Sequence, residues 1–419
     1  VEFLFVRMIT VAEAERGVME AMGRLPTERV RLKEAHGRVL REALTADRAG
    51  PPFDRATLDG VCFRFSDWVA GLREFPVDGV QAAGAEPLAA PAAGRCLEIM
   101  TGAPLPAPCD VVLRVEDFER VDGGVRAREG VVLDSGTGVH PRGSDFAAGD
   151  VLVPAGCVLT GREIAVAASC GRETLEVTVQ PKVAVLTTGD ELVEVEDEPK
   201  PHQIRRSNDL ALRATLAAVG CTKVELNHLP DNPGAISWNL ERLLQQADVI
   251  VITGGVSRGM FDHIPGVLEE LGVKRVFHGV AQRPGRPMYF GTFERPGDFL
   301  HPEDTRVVAI FALPGNPVSA FTCLHRYVLG GVARVCGIEQ SVPEGALTLA
   351  NEVRRHPELT LFLPVVVGTG MDGRWSAVPR ASNTSGDFAS VARTHGFVEI
   401  APGAGSVADG DAVPFRFWR

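Results

Sequence analysis

The chain has 419 residues, is 45% hydrophobic with 45 glycines and 29 prolines, and carries a formal net charge of -11. That length exceeds one ordinary core and predicts roughly two to four domains, and the composition fits turn-rich globular structure rather than disorder. The acidic balance excludes a general nucleic-acid binder, which draws on surplus Lys and Arg, and no apolar run approaches the ~20 residues of a membrane span, so neither nucleic acid nor membrane is expected as a partner.

Eight cysteines from Cys62 to Cys336 occur singly, without a CxxC pair or zinc spacing. They are expected to be small core residues in a reducing compartment. The opening VEFLFVR is expected to carry neither a cleavable signal nor a stop-transfer pattern, and a cytoplasmic location is expected.

Thr10, with Glu13 three residues on, is a capping-box start, and Val11, Ala14, Val18 and Met22 give the helix one apolar face. After Pro26 the alternation Val30-Arg31-Leu32 predicts a strand. The segment Pro51-Pro52-Phe53-Asp54-Arg55-Ala56-Thr57-Leu58-Asp59-Gly60 is stiffened by its prolines and offers a carboxylate, Asp59, beside a tight turn. The alternative for that aspartate is a cap for the turn at Gly60.

From Val61 to about Val132 short strands separated by Gly and Pro predict a small β domain. Within it, Glu98 to Pro106 (EIMTGAPLP) delivers a strand into a rigid turn carrying Thr101, and His140 to Asp145 (HPRGSD) adds a turn with Arg142 and Asp145. Gly161 to Gly171 is expected to be helical.

From Lys182 to about Val335 strands and helices alternate, the pattern of a parallel sheet covered on both faces. The first strand ends in Thr187-Thr188-Gly189-Asp190-Glu191. The apolar, β-branched run Val249 to Thr253 ends in Gly254-Gly255, followed by Ser257 and Asp262. Glycine there lets the backbone turn sharply and leaves its N–H groups uncovered to an anion. The last strand ends in Pro314-Gly315-Asn316-Pro317-Val318-Ser319 at a helix start. Together these ends predict a phosphate-and-metal corner at the carboxyl edge of the sheet; a tight turn without a ligand is the alternative for any one of them. The loop Gly279 to Pro287 holds Arg283 and Arg286, whose guanidiniums suit a tetrahedral oxyanion. Beyond Ser341 short strands return.

Seven stretches, PPFDRATLDG, EIMTGAPLP, HPRGSDF, LTTGDEL, ITGGVSRGMFDH, VAQRPGRP and ALPGNPVSAF, occur in the order found in the molybdopterin molybdenumtransferases, the MoeA family that includes the gephyrin E domain, which this chain resembles over nearly its full length. The resemblance implies an elongated multidomain homodimer of α/β plus β class. Its parts would be a discontinuous N-terminal linker or dimerisation domain (1–50 and 148–180), an inserted β-rich domain (51–147), a MogA-like doubly wound molybdopterin-binding α/β domain (181–335) and a C-terminal β-barrel domain (341–419).

The implied reaction inserts molybdate into adenylylated molybdopterin and releases AMP, with Mg²⁺ and with a molybdopterin adenylyltransferase as the partner that supplies the intermediate. Asp59, Thr101, Asp145, Glu191, Asp262, Arg283 and Arg286 are the implied catalytic set, with Glu191 and Asp262 on the metal. Thr188, Gly189, Gly254, Gly255, Ser257, Pro314, Gly315, Asn316, Pro317, Ser319 and Ser385 are the implied pterin and phosphate contacts. The chain departs from the family at Arg283 and Arg286, where lysines are frequent, at Leu58 and Val61 beside Asp59, and at Phe362-Leu363-Pro364, where an arginine is expected in place of Pro364. Two other readings are a molybdopterin adenylyltransferase and a catalytically reduced scaffold of the same fold.

Overall fold

The computed structural model describes residues 8–256, 262–297, 305–339, 345–370, 373–380 and 384–418. The chain divides into two compact units, one of Val1–Glu42, Ala155–Gly161 and Thr174–Arg419, the other of Ala43–Pro154 and Arg162–Glu173.

The smaller unit is built on a six-stranded sheet in the order Val111–Arg114, Gly60–Phe63, Cys96–Ile99, Glu74–Gln81, Gly124–Ala127, Phe118–Val121. Only the pairing of Cys96–Ile99 with Glu74–Gln81 is parallel. Its core is aromatic: Phe63 stacks on Phe75 with ring centroids 4.2 Å apart, and both side chains are fully buried.

In the larger unit a six-stranded sheet runs in the order Val224–Leu229, Val183–Thr188, Val249–Thr253, Arg306–Leu313, Tyr289–Arg295, Lys274–His278. The first four strands are parallel, as their alternation with helices predicts. Val249–Thr253 is buried at every residue. Val249 and Val251 pack into one core, Ile250 and Ile252 into the other, because successive side chains of a strand point to opposite faces. Two further strands, Tyr289–Arg295 and Lys274–His278, extend the sheet antiparallel, so it is mixed where a parallel sheet was expected.

The helix Val11–Ala21 starts in the expected capping box: Glu13 N donates to Thr10 Oγ1 at 3.2 Å, and Thr10 N donates to Glu13 Oε2 at 2.7 Å. The last strand of the parallel set feeds a helix Pro317–Cys323 that continues through a π turn, Leu324–Val328, into Leu329–Cys336.

The C-terminal strands Thr360–Thr369, Trp375–Pro379, Gly345–Leu349, Ala412–Phe417 and Gly396–Ile400 pair in turn, and the last pairs back to the first. This closes a five-stranded barrel around Leu349, Val365, Ala377, Val398 and Phe415. All eight cysteines are buried thiols outside any disulfide, and among the described residues no helix is long and apolar enough to cross a membrane.

Candidate active site

The three ligand-bearing strand ends anticipated from sequence are neighbours, since Val183–Thr188, Val249–Thr253 and Arg306–Leu313 are adjacent in the sheet. Gly254 N donates to Leu313 O at 3.2 Å. A Cβ at Gly315 would stand 3.5 Å from Gly254 Cα, and one at Gly254 would stand 2.8 Å from Thr188 O and 3.0 Å from Thr188 Oγ1. With φ +95° and that crowding, only glycine fits at 254. Thr188 Oγ1 is buried at this corner with no hydrogen-bond partner among the described residues. An unsatisfied hydroxyl beside a diglycine turn is a feature that a ligand oxygen would complete.

Around that corner the other predicted residues take separate positions. The Glu191 carboxylate folds back over the strand end, its Oε2 2.5 Å from where a Cβ on Gly189 would be. Ile264 N donates to Gly255 O at 3.2 Å, returning the chain, with Asp262 two residues ahead, to the diglycine. Pro317 opens the helix at Asn316, whose Nδ2 donates to Ser385 Oγ at 2.7 Å, while Val318 N donates to Ser385 O at 3.0 Å. Ser385 is thereby fixed at the start of that helix. Ser319 is buried at 4% exposure, and its carbonyl faces Gly285, so it packs beneath the arginine loop. Ser257 lies outside the described residues.

Arg283 and Arg286 are both exposed. Gln282 and Arg283 pair with Thr360 and Leu361 of the barrel. Gln282 is fully buried; its Nε2 donates to Gly285 O at 3.1 Å and its Oε1 accepts from Tyr327 Oη. A Cβ at Gly285 would meet Cys323 Sγ at 2.5 Å. This buried amide network, which sequence reasoning missed, holds the backbone between the two guanidiniums in one conformation. Pro364 is buried in the barrel strand Thr360–Thr369. Two other residues were also missed: Asn208, whose Nδ2 donates to Gly315 O at 2.8 Å, and His278, whose Nε2 lies 3.1 Å from Val256 O. Asn208 sits in Ser207-Asn208-Asp209, polar side chains at a helix start that read as ordinary capping.

The smaller unit gathers the remaining predicted residues. Ala56 N donates to Ala103 O and Thr57 N to Gly138 O, which draws the PPFDRATLDG, EIMTGAPLP and HPRGSDF stretches together. Asp59 Oδ1 accepts from Thr101 N at 2.7 Å and from Thr101 Oγ1 at 2.8 Å. Asp145 Oδ1 lies 2.9 Å from His140 Nε2, and Arg55 Nη2 lies 3.2 Å from His140 Nδ1. A guanidinium only donates, so Nδ1 is the acceptor and Nε2–H points at Asp145.

Residues 9–171 match the family described as MoeA N-terminal region (domain I and II), residues 184–333 the probable molybdopterin binding domain, and residues 346–418 the MoeA C-terminal region (domain IV). A molybdopterin molybdenumtransferase of Synechocystis sp. is 35% identical over 98% of this chain and 100% of its own. The chain belongs to the MoeA family. A molybdopterin molybdenumtransferase of Bacillus subtilis is 28% identical over 97% of this chain and 93% of its own. The crystal structure of the MoeA molybdopterin biosynthesis protein of Pyrococcus horikoshii superposes with a TM-score of 0.77 at 30% identity, covering 99% of this chain and 100% of that one. As a MoeA-family transferase the protein serves molybdenum cofactor biosynthesis.

Among the described residues no group of three or more His, Cys, Asp and Glu side chains gathers to cage a metal ion. The donors at the corner are carboxylates and hydroxyls, the set a hard cation takes, and Mg²⁺ ordinarily binds through one or two carboxylates with substrate phosphates completing its shell. The residues present therefore fit Mg²⁺ in that shared mode. A cavity of about 1080 Å³ lies at the opposite, amino-terminal end of the parallel strands, and no predicted site residue lines it.

The two Thr101 hydrogen bonds, backbone first, hold the Asp59 carboxyl below its ordinary range because they favour the charged form. The depressed value means that this contact is fully present above the unfolded-state pKa and is lost as pH falls through the folded-state one. Thr101→Val removes the hydroxyl donor and keeps the N–H, so the Asp59 pKa should move part-way back up. Carboxyl-carbon NMR titration of Asp59 checks it; an unmoved titration curve would exclude the hydroxyl as a cause.

Proposed function

We propose that this chain is a molybdopterin molybdenumtransferase that inserts molybdate into the dithiolene of adenylylated molybdopterin and releases AMP. The observation that carries this reading is the corner where three adjacent strand ends bring together Gly254, Gly315 and Thr188 Oγ1, which has no hydrogen-bond partner among the described residues. Backbone N–H groups at Gly255 and Gly315, with Asn316 and Ser385, receive the pterin phosphate.

Glu191 and Asp262 flank the corner and would hold Mg²⁺, whose charge would neutralise the pyrophosphate when bound. Arg283 and Arg286, spaced by the rigid loop, bind molybdate and offset its charge as its oxide ligands exchange for sulfur. Asp59, with Thr101 and Asp145 in the smaller unit, would orient water or molybdate across the dimer interface. The protein acts as a cytoplasmic homodimer and receives its intermediate from an adenylyltransferase. The four-part domain division expected from sequence is retained in this reading.

Molybdate binding tests the arginine assignment. With Pro364 where the family supplies an arginine, binding depends on the two guanidinium forks, which grip a tetrahedral dianion bidentately. Calorimetric titration of molybdate with adenylylated molybdopterin present should show Arg286→Ala weakened by about 30-fold, ~2 kcal/mol, the scale of a charge-assisted hydrogen bond. Arg286→Lys should fall between. Equal affinity in wild type and Arg286→Ala would remove the loop from molybdate binding.

A further inference from the structure

The arginine loop is seated on the helix that leaves the diglycine corner. That helix runs from Pro317 into the π turn Leu324–Val328, and Ser319, Cys323 and Tyr327, spaced four apart, form one stripe along it. A Cβ at Gly285 would stand 2.5 Å from Cys323 Sγ and 3.7 Å from Ser319 O, and the Gln282 side chain reaches the same stripe at Tyr327 Oη. A π turn is rare within a helix and recurs at functional sites; this one carries Tyr327.

Gln282 is fully buried, and Tyr327 is 2% exposed. The Gly285 carbonyl only accepts, so the amide nitrogen faces it: Gln282 Nε2 donates to Gly285 O at 3.1 Å and to Cys323 Sγ at 3.3 Å. The amide oxygen is left for Tyr327, whose hydroxyl donates to it. Burial pushes the Tyr327 phenol far above its ordinary range, so it remains a neutral donor. Both ends of the amide are thus engaged in a dry site, where such a network holds one geometry and an unmade bond is costly.

The rest of the loop is tied as well. Ala281 N donates to Ile9 O at 2.8 Å, Thr360 N to Ala281 O at 2.9 Å and Val280 N to Arg286 O at 3.0 Å, and Arg283 lies opposite Leu361 of the barrel. The Gln282 bonds are the ties that run to the helix whose start, at Asn316, belongs to the phosphate corner.

We infer that Gln282 and Tyr327 are positioning residues that fix the spacing of Arg283 and Arg286, and so the size of tetrahedral dianion that the loop retains. The inference rests on the assignment of both arginines to molybdate proposed above. Molybdate and sulfate share charge and shape, but Mo–O bonds are longer than S–O bonds. Two guanidiniums on a slack loop would close on either anion, since charge alone does not tell them apart. On a loop ordered before the anion arrives, the smaller anion fits both forks poorly. Gln282 and Tyr327, being buried, act through the loop backbone and do not touch the anion.

Equilibrium dialysis of the whole chain against molybdate, with sulfate as competitor, adenylylated molybdopterin present and Mg²⁺ withheld, tests this. Wild type should need at least about a tenfold molar excess of sulfate to lose half its molybdate. Tyr327→Phe keeps the ring and removes the hydroxyl. Its molybdate affinity should fall about threefold or more, the effect of one lost hydrogen bond, and the sulfate excess needed should fall with it. Gln282→Met removes the amide bonds at the same chain length and should do the same or more; where it does not fold, Tyr327→Phe and the wild-type competition still decide. A wild type that exchanges molybdate for sulfate at equal concentration overturns the inference. So do variants with a lowered unfolding temperature but wild-type affinity and sulfate ratio, since that is a structural role alone. No molybdate bound to wild type at all would instead count against the proposed function.

Discussion

Asp262→Asn should lower AMP release from adenylylated molybdopterin by on the order of 10²-fold or more while leaving the fold and molybdopterin binding intact. The expectation follows from chemistry and position. Asp262 lies two residues ahead of Ile264, whose N–H closes onto Gly255 O at 3.2 Å, and it is half-buried. An amide is isosteric with a carboxylate, so packing survives, but it lacks the negative charge that a hard cation at a pyrophosphate requires. Retained molybdopterin affinity in the variant separates this loss from misfolding. AMP release at the wild-type rate would remove Asp262 from the mechanism.

Gly254→Ala should destabilise the protein by about 2 kcal/mol or more, the scale of a non-glycine residue forced into a glycine conformation. The added Cβ meets backbone, Thr188 O at 2.8 Å, which cannot swing aside as a flexible side chain would. Gly266→Ala is the internal control. It lies in the helix Ile264–Glu270 with nothing within 4 Å of its added Cβ, so alanine there should be neutral or stabilising by about 0.5–1 kcal/mol. Urea unfolding of both variants beside wild type decides; a Gly254→Ala midpoint equal to that of wild type would contradict the close approach of the two strand ends.

What could be read from the residues alone follows from how local the signal was. Val249–Thr253 and the parallel strands beside it announce themselves by continuous apolar runs, and the capping box at Thr10 by its spacing. Lys274–His278 escaped because its first three residues, Lys274, Arg275 and Val276, are exposed, so no apolar alternation marks it; it is a strand because Tyr289–Arg295 pairs with it. Barrel closure depends on Leu361 meeting Ile400, a pairing made far along the chain, and no periodicity reports it. At the site, motif spacing led to the strand-end residues. The amide network of Gln282 and Tyr327 and the buried Asp209–Arg206 ion pair were hidden, because burial of a polar group is visible only after the helices are packed.

Molybdate insertion and AMP release should be one coupled reaction at the diglycine corner. Purified protein incubated with adenylylated molybdopterin and Mg²⁺, with and without molybdate, tests it most directly when AMP and protein-associated molybdenum are measured together. The expected result is molybdate-dependent AMP release, with molybdenum appearing in the pterin product in equal amount, and loss of both in Asp262→Asn. AMP release without molybdenum in the product, or no molybdate effect on either, would contradict it.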